Sequence, residues 1–136
     1  LSNNIPRNKN PAVLTHNDLM IHNFLAEGDR ISAVLDWEGA MFGDPASDLG
    51  YVKVEVSKHI EWKRFLAHYH AHGGQPIDES ALAFHEILTN LRNLAGTNKH
   101  TMTIKAGRGD PKDILLAYNY VPVFMDVIDK NIMGTR

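Results

Sequence analysis

Cysteine does not occur in the 136 residues, which excludes disulfides and cysteine-based zinc sites outright. Excess charge is missing too. Fourteen Lys and Arg stand against 16 Asp and Glu, a net charge of −2, so nothing electrostatic favours nucleic acid or an anionic membrane as a partner. No apolar run approaches the roughly 20 residues of a membrane span. Nor does a signal peptide appear, and a cytoplasmic location fits these absences. Repeats and low-complexity tracts are absent as well. So is an initiator Met: the chain opens on "LSNNIPRNKNP", polar and without an element of its own. The expectation is an irregular lead over residues 1–12, cut from something longer.

What is present suffices for one folded domain. The apolar fraction is 43%, ordinary for a soluble globular chain, and the length allows a real core. "PAVLTH" (11–16) reads as a short buried strand or an extended lead-in. "NFLAEGDRISAVLDW" (23–37) reads as a β-hairpin turning at Glu27-Gly28-Asp29. After Trp37 the period becomes helical. "GDPASDLGYV" offers Asp44 as N-cap and Pro45 as first helical residue. "IEWKRFLAHYHAHGG" stops at two glycines, and "DESALAFHEILTNLRNLAG" runs from Asp78 to Gly96. Its apolar stripe is expected through Ala81, Phe84, Leu88, Leu91 and Ala95. A loop at 105–111 precedes a last helix over 112–133, kinked or broken near Pro122. The fold class is therefore α+β, mostly α: a loop and hairpin followed by about four helices.

"VLTHNDLMIHNFL" (13–25) is the stretch that carries chemistry. His16, Asp18 and Asn23 lie between apolar pairs, where a buried strand needs no polar groups. A second acid, Asp36, follows the second hairpin strand. A hairpin that starts after Asn23 and ends at Asp36 brings its two ends together, so Asp18, Asn23 and Asp36 can converge. That set gives oxygen ligands for a hard cation such as Mg2+ and one carboxylate free to accept a proton. These are the parts that phosphoryl transfer requires.

Here a family resemblance enters. "HNDLMIHN" resembles the catalytic loop H-[GN]-D-x-x-x-x-N of the aminoglycoside phosphotransferase and choline kinase-like family, relatives of protein kinases. "LDWEGAMFGDPASDLG" resembles that family's metal-binding segment, [IL]-D-[WF]-E followed by G-D-P-x-x-D-L. The likeness is close over residues 13–50. It implies Asp18 as catalytic base and Asn23 and Asp36 as Mg2+ ligands beneath an ATP or GTP. His16 and Asp48 then support the loop. Position 17 is Asn, as in choline kinases, and Asn tolerates left-handed backbone angles. Met20 stands where many members have a second His. His22 reads as a substrate-side group or a polar filler, and Glu38 as an orienter of the metal site or the cap of a turn.

The glycine-rich loop and lysine that clamp nucleotide phosphates in such kinases have no counterpart before residue 13. The resemblance is thus to the C-terminal lobe alone, over 13–136. It implies a kinase acting on a small-molecule hydroxyl. Without the clamp the isolated chain is expected to be inactive, and the apolar surface left uncovered near Val13-Leu14 and the hairpin is expected to pair two copies as a homodimer. Two other readings stay open. One is a catalytically silent binding fragment. The other is a metal-dependent hydrolase built on His16, Asp18, His22 and Asp36, which would favour Zn or Mn through imidazole nitrogens. "HYHAH" (68–72) also invites a metal, although a histidine-rich helix C-terminus suits the dipole equally. The acceptor is not legible. The second motif looks more like that of bacterial phosphotransferases resembling domains joined to acyl-CoA dehydrogenases than like drug-resistance kinases, which leaves hydroxyacyl compounds open.

Overall fold

The computed structural model describes residue 6 and residues 11–133. Most of the lead expected over 1–12 lies outside the described residues, as do the last three positions. Two compact units divide the chain, the first ending at His85 and the second beginning at Glu86.

In the first unit, β1 (Val13–Thr15) leads through a 3-10 turn at Ile21–Asn23 into β2 (Phe24–Glu27) and β3 (Arg30–Val34). A second 3-10 turn at Trp37–Gly39 precedes β4 (Met41–Gly43), α1 (Ala46–Val56), α2 (Trp62–Ala71) and the start of α3 (Glu79–Lys105). The rest of α3 and α4 (Pro111–Met133) make the second unit. The described chain is mostly helical, with two small antiparallel sheets.

β2 and β3 form the expected hairpin, pairing Phe24 with Val34 and Glu27 with Arg30. Its turn is tighter than expected, two residues rather than three. Gly28 takes the first of them at φ 62°, which only glycine adopts without cost. One strand was not foreseen. β4 pairs antiparallel with β1, Thr15 opposite Met41 and Val13 opposite Gly43. Three residues are too few to show an alternation, so Met41-Phe42-Gly43 reads as a connector into the helix. Nor is β1 a buried strand: Leu14 is 56% exposed and only Thr15 is enclosed.

α1 starts one residue later than expected, with Pro45 at the boundary. Asp44 still serves the start, its Oδ1 accepting the Ala46 N–H at 2.9 Å. Ala46, Leu49 and Val52 recur at helical spacing and are buried. α2 ends at the double glycine. Gly73, at φ 90°, donates to the His70 carbonyl and Gly74 to that of Tyr69, the paired closure of a Schellman cap.

Three expectations about the long helices are corrected. α3 does not stop at Gly96 but continues to Lys105. A lone interior glycine costs only about 1 kcal/mol and the next nine residues keep the ladder going. The real stop is Gly107, at φ 68°, where Gly107 donates to the Ile104 carbonyl and Arg108 to Thr103. Its buried side also differs: Ala81, Leu82, Glu86, Thr89 and Asn90 are enclosed, while Leu88 and Leu91 are exposed. Polar groups are tolerated there because they bond locally, as Asn90 Nδ2 does to the Glu86 carbonyl at 2.7 Å. α4, for its part, passes Pro122 without a break. It opens with a reciprocal cap: Asp110 Oδ1 accepts the Lys112 N–H, and Asp113 Oδ2 accepts that of Asp110.

Candidate active site

The loop after β1 turns inward through its polar residues. His16 is 2% exposed and Asn23 5%, whereas the apolar neighbours Leu14 and Leu25 face out. Burying polar side chains is costly unless they are bonded, and both His16 and Asn23 are hydrogen-bonded here.

His16 holds the loop from inside. Its Nδ1 accepts the Asp18 N–H at 3.2 Å, so the ring proton sits on Nε2, which donates to the Leu35 carbonyl at 2.7 Å. That second bond ties the loop to the residue following β3. The Trp37 ring lies 4.6 Å from the imidazole. Asp48, in the first turn of α1, accepts the backbone N–H of His16 on one carboxylate oxygen and that of Asn17 on the other, both at 2.7 Å. Charge-assisted bonds of this kind are among the stronger ones. They hold Asn17 at φ 62°, a left-handed angle that asparagine accepts better than most residues. The Asn17 side chain donates to Thr15 Oγ1 and to the Gly39 carbonyl, both at 3.1 Å.

Asn23 faces Asp18 through its amide nitrogen, which donates to the Asp18 carbonyl at 2.8 Å and to Oδ2 at 3.0 Å. That orientation leaves the Asn23 Oδ1 on the other side of the amide, without a hydrogen bond among the described residues. The hairpin closes beside it: the Leu35 N–H donates to the Asn23 carbonyl at 2.8 Å. Asp36 comes next, at φ 64° and exposed, its carboxylate likewise without a bond among the described residues. The ends of the hairpin therefore carry a carbonyl-type oxygen and a carboxylate, both uncommitted. Hard oxygen donors in small number are what Mg2+ takes, since it keeps waters and shares phosphate oxygens.

Of the remaining candidates, His22 and Glu38 are exposed and make no hydrogen bond among the described residues. Glu38 therefore caps no turn. The hydrolase set is not assembled. Both ring nitrogens of His16 are committed to the backbone, and no three His, Asp or Glu side chains cluster as a metal site among the described residues. In "HYHAH", the His72 Nδ1 donates to the His68 carbonyl at 2.8 Å, which closes the helix end.

One site residue was not foreseen. The Tyr51 hydroxyl donates to Asp18 Oδ1 at 2.6 Å. Tyr51 is three residues beyond Asp48 on α1, hence on the same side of the helix, and that spacing was the signal available in the sequence.

A family model described as the phosphotransferase enzyme family matches residues 1–94. The chain belongs to that family. Among curated proteins it is 32% identical over 93 residues to acyl-CoA dehydrogenase family member 11 of Rattus norvegicus, covering 62% of this chain and 11% of that protein. It is 30% identical over 125 residues to the protein LicA homolog of Metamycoplasma hominis, covering 91% of this chain and 45% of that protein. The chain thus spans less than half the length of either relative. No solved structure matches it.

Proposed function

We propose that the chain carries the C-terminal, catalytic lobe of an ATP- or GTP-dependent kinase that phosphorylates a small-molecule hydroxyl. The observation that supports this best is the pairing of Asp18 with Asn23. The asparagine amide fixes the acid while its own oxygen stays free, beside the hairpin end that bears Asp36. Asn23 and Asp36 would hold Mg2+. When bound, the metal and nucleotide supply the phosphoryl group and neutralise its charge.

The chain's own residues do the rest. Asp18 would orient the acceptor hydroxyl and take its proton as the oxygen attacks, while the bond between the γ-phosphorus and its bridging oxygen breaks and the nucleoside diphosphate leaves. His16 and Asp48 keep the loop in place while this happens, since positioning and electrostatic stabilisation supply nearly all of the catalysis in phosphoryl transfer. The clamp for the β- and γ-phosphates is not among residues 13–136, so these residues alone transfer no phosphate. Met41, Phe42 and Ile31 are exposed large apolar side chains of the strands. Such patches seek cover, from the remainder of the enzyme or from a second copy of the chain in a symmetric dimer.

The two similar proteins carry different names, and the acceptor class is open between them. A hydroxyacyl compound is one candidate, from the likeness to the acyl-CoA dehydrogenase family member, and an amino alcohol such as choline is another, from the choline kinase-like loop with Asn17. Radiolabelled ATP with acceptors of both kinds, given to the complete gene product, tests the reading. Transfer is expected in the wild type. Asp18→Asn should lower turnover roughly 10²- to 10⁴-fold with little change in nucleotide affinity. Near-normal turnover in that variant would sink the assignment.

A further inference from the structure

We infer that Tyr51 is a positioning residue for Asp18, locking the carboxylate of the base through its hydroxyl. The inference rests on the reading of Asp18 as base, and it adds a residue that neither motif marks.

Asp18 is held from two sides. Tyr51 Oη donates to Oδ1 at 2.6 Å and Asn23 Nδ2 donates to Oδ2 at 3.0 Å. A carboxylate rotates freely about its last torsion unless both oxygens are pinned. Here each oxygen has one partner, and each keeps a second lone pair. The lone pairs available to an acceptor proton then point in one fixed direction. A base must lie within hydrogen-bond reach of the proton it takes, so this orientation bears directly on the rate. The hydroxyl also gives a carboxylate the stronger kind of hydrogen bond, donor to ion.

The same helix face does the remaining work. Asp48 and Tyr51 are three residues apart on α1. Asp48 takes the backbone N–H groups of residues 16 and 17, and Tyr51 takes the side chain of residue 18. One turn of helix therefore sets both the path of the loop and the aim of its acid. Gly50 and Leu49, between them, are buried, so the turn has little freedom to shift. Phenylalanine at 51 would fill the same space and leave Oδ1 without this donor.

The test is the hydrolysis of Mg-ATP by the complete gene product without any acceptor, where water takes the acceptor's place and the same base is needed. Tyr51→Phe should lower kcat roughly tenfold, the loss of one hydrogen bond to an ion, and leave KM for Mg-ATP within about twofold. In an Asp18→Asn background the same change should cost almost nothing further, because its route runs through Asp18. An unchanged kcat in Tyr51→Phe, or a second tenfold loss on top of Asp18→Asn, overturns the inference while leaving Asp18 as base. A wild-type rate in Asp18→Asn removes the base reading and this inference with it. Should Tyr51→Phe fail to fold, proton NMR of the unmodified protein decides. A Tyr51 hydroxyl proton protected from exchange supports the link, and one in free exchange with solvent overturns it.

Discussion

From Thr15 to Tyr51, side-chain hydrogen bonds join residues far apart in sequence. His16 reaches Leu35, Thr15 reaches Met41, the Asp48 carboxylate reaches back to His16 and Asn17, and Tyr51 reaches Asp18 across 33 positions. In the second unit the pattern is different. Asn90, Thr97, Thr103 and Asn131 each donate to a carbonyl four residues earlier on their own helix, and Lys130 pairs with Asp126. The two regions spend polar side chains in opposite ways. The first buries them to fix a loop in space, and the second satisfies them locally. A non-local set has no substitute when a member is lost, whereas a helix re-bonds to itself or to water.

The sharpest way to break this contrast is Asp48. Asp48→Ala removes the acceptor of two charge-assisted bonds and strands the N–H groups of His16 and Asn17. A cost of roughly 3 kcal/mol is expected, the sum of two bonds to an ion. Asp48→Asn keeps one acceptor oxygen and should cost about half as much. Urea midpoints measure both, and a neutral Asp48→Ala would mean that the loop does not depend on α1.

The second prediction sharpens the contrast inside the site itself. Asp36 and His22 are both exposed and unbonded among the described residues, yet only Asp36 lies at the closing end of the hairpin. Asp36→Ala should weaken Mg-nucleotide binding about tenfold or more, the scale of losing a metal contact, and His22→Ala should leave it unchanged. Isothermal titration of the complete gene product reads both. Loss of metal binding in His22→Ala would favour imidazole ligation and count against the kinase reading.

Much of this site was legible because its chemistry is local in sequence. H-N-D-x-x-x-x-N puts Asp18 and Asn23 within eight residues, and L-D-W-E puts Asp36 just after the strand. The hairpin between them was readable from the turn at Gly28 and from a second strand, Ile31 to Leu35, rich in β-branched and apolar residues. What was not legible depends on pairs that only folding brings together. Tyr51 shares a side of its helix with Asp48, but only folding brings its hydroxyl to Asp18. β4 is three residues long and exists only because β1 is there to pair with it. The buried face of α3 is hidden from sequence for a related reason. Leu88 and Leu91 are more apolar than Thr89 and Asn90, so composition points to the wrong side of the helix.

A third prediction takes the exception in the second unit. His100 and Asp113, 13 residues apart, pair across the α3–α4 turn, His100 Nδ1 lying 2.5 Å from Asp113 Oδ1. The Asp110 backbone N–H and then the His100 side chain hold the Asp113 carboxyl below its ordinary value of 3.8. The group is depressed on folding, so its stabilisation is fully present above pH 3.8 and is lost as pH falls through the folded value. Asp113→Asn should therefore be less stable than wild type at neutral pH. The two urea midpoints should approach one another as pH drops below 3.8. A gap that persists unchanged into acid would mean that the charge of Asp113 is not what stabilises the turn.

The smallest effect, and the only gain, is expected at Gly96. It lies inside α3, and a Cβ built there meets nothing within 4 Å. The position has no positive φ to protect, unlike Gly107 a few residues on. Alanine should therefore add no clash and remove only the backbone freedom that glycine keeps in the unfolded chain. Gly96→Ala should raise stability by roughly 0.5 to 1 kcal/mol, visible as a higher urea midpoint at unchanged slope. The matching substitution Gly107→Ala should lower it, because its left-handed angle closes the helix. If both alanines stabilise, then α3 does not end where Gly107 turns it. If both destabilise, Gly96 is needed by something that covers this side of the helix. The expected split, a gain at one glycine and a loss at the other eleven residues away, follows from backbone angles alone. In a helix whose bonds are local, one residue's φ is enough to set the sign of the change. At the loop of Asp18 no such local argument works, because the left-handed angle of Asn17 is held by a carboxylate 31 residues away.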